Sequence, residues 1–457
     1  MIGKLGFCRV LRWFEEDLLR HLFQNAGTLL TGNMVAWVLG LITYAITARL
    51  LGPEQFGIFV LITTFAFIID ALVNFQSWTA LIKYGTEALE DGKPNRFMGL
   101  VKFCTLLDFA TACIGTLIAI AAVVLLGQWF AWNPETVRMA ALYSLVMLFN
   151  LSGVPTGIFR LFKRFRLFAV QNIVSAVIRF IGILVVLALG AGLWLVLIVW
   201  MVATVAGYLL LLILGWRELS RRGYLEYLNT PLNESIARSP GLVGFLVATN
   251  LNSSVLLGSR EVDTILIGGV VGAEGAGIYK IAKQLGWIPA MLSDPLYQAI
   301  YPDLSHLWAK QEIVQFKRLI IRSGIVAGSL AAGIWLGFAL FGAPVISFLF
   351  GTAYIQAYPI AVLYMATMII AIFGFPLAPA MASIGMPRMT LQVHLLSLAV
   401  YFPLLVLFTQ AFNLVGAVAA VAVYGLVWFA IMVILEKGLI EKEESARIID
   451  HPTPGAE

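Results

Sequence analysis

Twelve stretches of about twenty mostly apolar residues recur along this 457-residue chain, and each is long enough to cross a bilayer as a helix. They cover approximately 23–48, 57–82, 100–126, 138–159, 168–189, 193–215, 243–271, 277–303, 322–342, 357–384, 389–409 and 413–435. Only 12% of the residues are charged, against about 25% in soluble domains. The fold class is therefore an all-α polytopic membrane protein. Before the first stretch, residues 5–22 mix Leu, Phe and Trp with Arg and Glu at helical spacing, the pattern of an amphipathic helix lying on the membrane surface. Glu15, Glu16 and Asp17 interrupt it, so it does not read as a cleavable signal.

The loops carry a charge alternation that fixes an expected orientation. Even-numbered loops hold the positive residues: Lys83, Lys93 and Arg96; Arg160, Lys163, Arg164 and Arg166; Arg217, Arg221, Arg222 and Arg238; Lys310, Lys317 and Arg318; and Arg388. Lys4, Arg9, Arg12 and Arg20 at the N-terminus, and Lys437, Lys442 and Arg447 at the C-terminus, join them, whereas odd-numbered loops hold almost none. By the positive-inside rule both termini are expected in the cytoplasm.

A gapless internal match points to duplication. Leu50–Phe59 (LLGPEQFGIF) aligns with Val270–Tyr279 (VVGAEGAGIY), with Gly, Glu, Gly and Ile at common offsets. A sharp helix–turn–helix corner accounts for this: the first glycine ends one helix, and the second lets the next start close beside it. Both halves enter the membrane from the same side, so the expected architecture is two parallel-repeat six-helix lobes around a central cavity. The boundaries are then an amphipathic segment (1–22), an N-lobe (23–216), a cytoplasmic connector (217–240), a C-lobe (241–436) and a cytoplasmic tail (437–457).

A charge at the bilayer centre costs at least ~2.5–3.5 kcal/mol, so each embedded one should face an interior or watery space. The second span holds Asp70, with Thr63, Asn74 and Ser77 on the same face. The fifth holds Arg179, with Gln171 and Ser175 on the two preceding turns. The seventh carries Arg260 and Asp263 one turn apart, and the eighth carries Lys280, Lys283 and Asp294 within about 60° of arc. Plainer accounts exist for single residues. Arg260 and Asp263 fit an intrahelical pair, Asp263 equally fits Lys280 or Lys283 across the corner, and Asp70, Asn74 and Asp108 fit interhelical glue. An aqueous cavity accounts for the set together. Pro155, Pro289, Pro295, Pro376 and Pro379 permit kinks in the spans.

Three motifs, RLLGPEQFGIF (49–59), VDTILIGGVVGAEGAGIYKIAKQL (262–285) and LFGTAYIQAYPIAVLY (349–364), carry a resemblance to a known family. That resemblance, to polysaccharide and O-antigen repeat-unit flippases within the multidrug/oligosaccharidyl-lipid/polysaccharide exporter superfamily, spans nearly the whole chain. It implies carriage of an oligosaccharide on an isoprenoid diphosphate from the cytoplasmic to the periplasmic leaflet of the bacterial inner membrane, by alternating access of two lobes. Polysaccharide polymerase and chain-length machinery are its implied partners. Arg179, Lys280, Lys283 and Arg260 are the candidate cations for the diphosphate, since Arg and Lys pair well with phosphate oxygens. Asp70, Asp263 and Asp294 are candidates for ion coupling or charge pairing.

Three other functions compete. Multidrug antiporters of the MATE type rely on an acid in the first span, and none is present here. Lipid II flippases of the same superfamily usually have two further helices. A glycan-processing membrane enzyme would carry a large external loop and a nucleophile–base or metal constellation, and the chain has neither. Three cysteines without a CxxC pair and four scattered histidines give no metal spacing, so no metal, cofactor or nucleic-acid partner is expected.

Overall fold

An apolar run with no water to satisfy its backbone must bond internally, which favours helices. In the computed structural model every element among the described residues is helical. Backbone is described for residues 17–127, 132–231 and 239–450; the side chains of 17–35, 126, 252, 255–259, 292–295, 298–299 and 442–450 are outside the description. The larger part of the expected surface helix, 5–22, and the polar start of the first span therefore lie outside it.

The helices are α1 (Asp17–Val73), α2 (Ser77–Glu90), α3 (Pro94–Leu126), α4 (Pro134–Ser144), α5 (Gly153–Leu161), α6 (Phe165–Leu189), α7 (Leu193–Arg221), α8 (Leu242–Gly286), α9 (Ser293–Ala309), α10 (Ile313–Phe350), α11 (Ala357–Phe373), α12 (Leu377–Ser383) and α13 (Pro387–Asp450). Nine stretches among the described residues are long and apolar enough to span a membrane. Two of these, Ala36–Glu90 and Pro387–Glu441, are 55 residues long, far beyond the about 20 that one crossing needs. They are divided at Gly52 and Asn413, so each holds two of the expected spans.

Four spans expected to be continuous are broken. The second stops at Val73 and resumes at Ser77, so Ser77 does not continue the helix of Asp70. The fourth passes from α4 through a 3-10 turn (Leu145–Phe149) to α5. The eighth is interrupted by a 3-10 turn (Ile288–Leu292), and the tenth is split between α11 and α12. Pro289 sits in one such break and Pro376 caps the helix after another, consistent with a ring that removes an N–H donor from the ladder.

The two matched corners share one backbone conformation. Gly52 has φ 70° and ψ 171°, and Gly272 has φ 87° and ψ 178°. That region is essentially closed to residues with a Cβ, which explains why glycine recurs at this offset.

By its internal contacts the chain divides into two units: Met1–Gly52 with Ile62–Val262, and Pro53–Leu61 with Asp263–Glu457. In the first, Leu81, Phe97, Val101, Ile158, Leu242 and Leu246 are buried in a core built by α2, α3, α5 and the start of α8. The described parts of the connector are pinned to this unit. Lys102 Nζ donates to the carbonyls of Leu228 (2.7 Å) and Thr230 (3.0 Å). Tyr224 stacks on Phe162 with centroids 6.0 Å apart, and Tyr84 Oη donates to the Pro240 carbonyl at 3.3 Å.

In the second unit the two corners pack directly on each other. A Cβ built on Gly57 would lie 1.8 Å from the Ala273 carbonyl oxygen, and one on Gly277 would lie 3.1 Å from the backbone of Gly57. Phe56, Phe59 and Tyr279 beside them are fully buried. The second glycine of the motif thus permits backbone-to-backbone contact between the two copies, rather than only within each corner.

Candidate functional site

In the first unit, the Gln171–Ser175–Arg179 stripe of α6 faces α7. Ser175 Oγ donates to the Ala203 carbonyl at 3.0 Å. One Arg179 nitrogen donates to Thr204 Oγ1 at 3.3 Å, and the guanidinium carbon stands 4.2 Å from the centroid of the Trp200 ring, a cation–π contact. Arg179 Nε is buried and has no hydrogen-bond partner among the described residues. No carboxylate forms an ion pair with this arginine there. A guanidinium has five donors. Thr204 and Trp200 occupy one donor and one face.

Asp70 of α1 is held by amides rather than cations. Asn150 Nδ2 donates to Oδ2 at 2.7 Å, Asn74 Nδ2 lies 3.4 Å from Oδ1, and Ser152 Oγ donates to Asn150 Oδ1 at 2.7 Å. Asn150, in the break before α5, is a site residue that the sequence reading missed; an amide inside an apolar span was the available signal. Asp108 is 1% exposed and accepts the Val154 N–H at 3.3 Å, which anchors the first turn of α5. This is the structural role expected of it.

In the second unit, Asp263 is the centre of a buried cage. Its side chain pairs with Lys283, with Nζ 2.8 Å from Oδ1 and 3.0 Å from Oδ2. Oδ1 also accepts from Thr264 N (2.6 Å) and Oγ1 (3.2 Å), while Oδ2 accepts from Tyr279 Oη (2.8 Å) and Tyr401 Oη (3.5 Å). The Asp263 and Lys283 side chains are only 6% and 11% exposed. Of the alternatives the sequence left open for Asp263, the pair formed is the one with Lys283 across the corner. Tyr424 stands beside Tyr401 with centroids 5.5 Å apart, and its hydroxyl is 2.7 Å from His394 Nδ1. Nothing in the sequence spacing marks Tyr279 and Tyr401 as partners of Asp263, because they arrive from 16 and 138 residues away.

The remaining candidates are dispersed. Lys280 is half-buried on α8, and Arg260 is exposed on the same helix. Asp294 lies in α9, and its side chain is outside the described set. Among the described residues, no group of three His, Cys, Asp or Glu side chains could hold a metal ion.

Comparison with known proteins gives a consistent picture. The chain is 28% identical over 353 residues to the inner membrane protein YghQ of Escherichia coli (strain K12), covering 77% of this chain and 99% of that protein. The fold is similar to that of a multidrug resistance MATE family transporter of the MOP superfamily in its inward-facing conformation. The TM-score is 0.73 at 13% identity, over 92% of this chain and 99% of the other. It is also similar to the lipid II flippase MurJ in an inward closed conformation, with a TM-score of 0.67 at 12% identity over 90% and 87% of the two chains. Residues 22–308 match the family described as Polysaccharide biosynthesis protein, and the chain belongs to that family.

Proposed function

We propose that this protein is a transporter, not an enzyme, that flips isoprenoid-diphosphate-linked oligosaccharide units from the cytoplasmic to the periplasmic leaflet of the bacterial inner membrane. The units feed assembly of a polysaccharide such as O-antigen, capsule or exopolysaccharide, and transport proceeds by alternating access. Family membership supports the pathway, and the name of the Escherichia coli relative supports the membrane.

Arg179 carries the reading of the cargo. A guanidinium midway along an apolar helix is costly unless its donors are used, and here Nε has no acceptor among the described residues. A diphosphate supplies acceptors in the fork geometry that arginine prefers. Lys280 and Arg260 are the further cations of this reading. Lys283, engaged by Asp263, serves it indirectly by tying together the two arms of α8 on either side of Gly272.

The test uses proteoliposomes carrying a fluorescent lipid-linked oligosaccharide, with an impermeant reductant reporting which leaflet holds it. Wild-type protein should expose the label from both leaflets. Arg179→Ala should slow translocation about tenfold or more, since one charge-assisted hydrogen bond is worth about 1.5–3 kcal/mol, while membrane abundance stays normal. Arg179→Lys should restore part of the rate. Normal translocation by a well-expressed Arg179→Ala would remove this residue from the site, and a wild type that moves no lipid-linked glycan would overturn the function.

A further inference from the structure

Where α9 ends and α10 begins, a cavity of about 480 Å³ opens in the second unit. Asp303 and His306 of α9 and Gln315, Arg318 and Arg322 of α10 line it. None of the residues assigned to transport above is among them. Arg318 and Arg322 are four residues apart, so they lie on one face of α10, where like charges repel. Among the described residues, neither arginine, nor His306, nor Asp303 forms an ion pair. Two guanidiniums therefore share the cavity with a single carboxylate, and a His ring and a Gln amide add further hydrogen-bonding groups.

Two neighbouring features indicate what such a cavity would hold. On α9, Tyr297 and Tyr301 are partly exposed and stack with centroids 6.2 Å apart, and tyrosine is a residue enriched at membrane–water interfaces. On α10, the next turns beyond Arg322 present Ile325, Val326 and Leu330, which are 48%, 69% and 54% exposed. Arg318, Arg322, Val326 and Leu330 follow one another at four-residue steps, so the two arginines continue into an apolar track on the same face of α10.

We propose that this cavity binds the phosphate head of a membrane lipid, with Arg318 and Arg322 sharing the phosphate oxygens and the lipid chain lying on the Ile325–Val326–Leu330 track. Bidentate arginine–phosphate pairing suits the spacing, and the bound anion relieves the repulsion between the two guanidiniums. Two lipids share this chemistry: an anionic phospholipid of the bilayer and a polyprenyl diphosphate. The proposal stands apart from the transport reading, because its readout is binding and not export.

Native mass spectrometry of the purified full-length protein tests it, with phosphatidylglycerol, farnesyl diphosphate, phosphatidylcholine and inorganic pyrophosphate as separate probes. One adduct should form with phosphatidylglycerol or farnesyl diphosphate at concentrations where phosphatidylcholine forms none. Tighter phosphatidylglycerol binding identifies the bilayer lipid, and tighter farnesyl diphosphate binding identifies the polyprenyl carrier. Arg318→Gln/Arg322→Gln should weaken that adduct about tenfold or more, consistent with losing charge-assisted bonds. Arg318→Lys/Arg322→Lys should fall between. Arg217→Gln/Arg221→Gln, which removes two arginines at the same spacing on α7, should leave the adduct unchanged. Equal lipid binding by wild type and Arg318→Gln/Arg322→Gln overturns the proposal. So does pyrophosphate binding as tightly as either lipid, because the apolar track would then contribute nothing.

Discussion

Replacing Lys283 with methionine keeps the aliphatic stem and removes the ammonium that neutralises Asp263. The carboxylate would remain, 4% exposed, with three hydroxyls and one backbone N–H around it but no cation. Removing one partner of a buried ion pair costs about 3–5 kcal/mol, because the other charge is stranded. For a unit of about 200 residues, each kcal/mol moves the unfolding midpoint by about 2–4 °C, so Lys283→Met should lower the apparent Tm by about 6–20 °C. The double variant Asp263→Asn/Lys283→Met removes both charges at similar shape and should recover most of that loss. Fluorescence-detected size-exclusion chromatography after heating reads both variants in detergent extracts. A double variant as unstable as Lys283→Met would refute the stranded-charge reasoning. A Lys283→Met protein with wild-type stability and no export would instead assign Lys283 to the cargo.

Two further outcomes follow from the corners. Gly57→Ala drives a methyl into the Ala273 carbonyl and should reduce folded protein sharply, whereas Gly277→Ala, with its nearest atoms at 3.1 Å, should be milder; membrane abundance compares them. Single cysteines at Glu54 and Glu274, both exposed, should react with an impermeant maleimide in intact spheroplasts of a strain carrying the protein without its native cysteines, and labelling only after permeabilisation would reverse the orientation drawn from the loop charges.

The backbone was legible wherever chemistry leaves one residue type a single job. Gly52 and Gly272 announce their corners because only glycine tolerates that φ/ψ pair, and Gly57 and Gly277 because only glycine permits the contact. The third division of this kind, at Asn413 with φ 58°, gives no comparable signal, since an asparagine between two spans is ordinary. The breaks at Pro289 and Pro376 were readable as sites of weakness, but proline does not specify whether a helix bends or stops. Side-chain partners were harder to read. Helical periodicity reports which residues share a face, and it grouped Gln171, Ser175 and Arg179 correctly. It does not report what faces them, so Thr204 and Trp200 opposite Arg179, and Tyr401 beside Asp263, had to come from three dimensions.

The pairing of the two corners also has a temporal side. Gly57 and Gly277 are 220 positions apart in the chain. At about 5–20 residues per second of synthesis, the second corner leaves the ribosome about 10–45 s after the first. Throughout that delay Phe56 and Phe59, fully buried in the finished protein, lack the surface that will bury them. Nascent chains arrested at the connector should therefore be recognised as incomplete even though all the residues of the first six spans have been made. Quality control of this protein would then act late, and a gene truncated at mid-length would yield a short-lived product rather than a free-standing half.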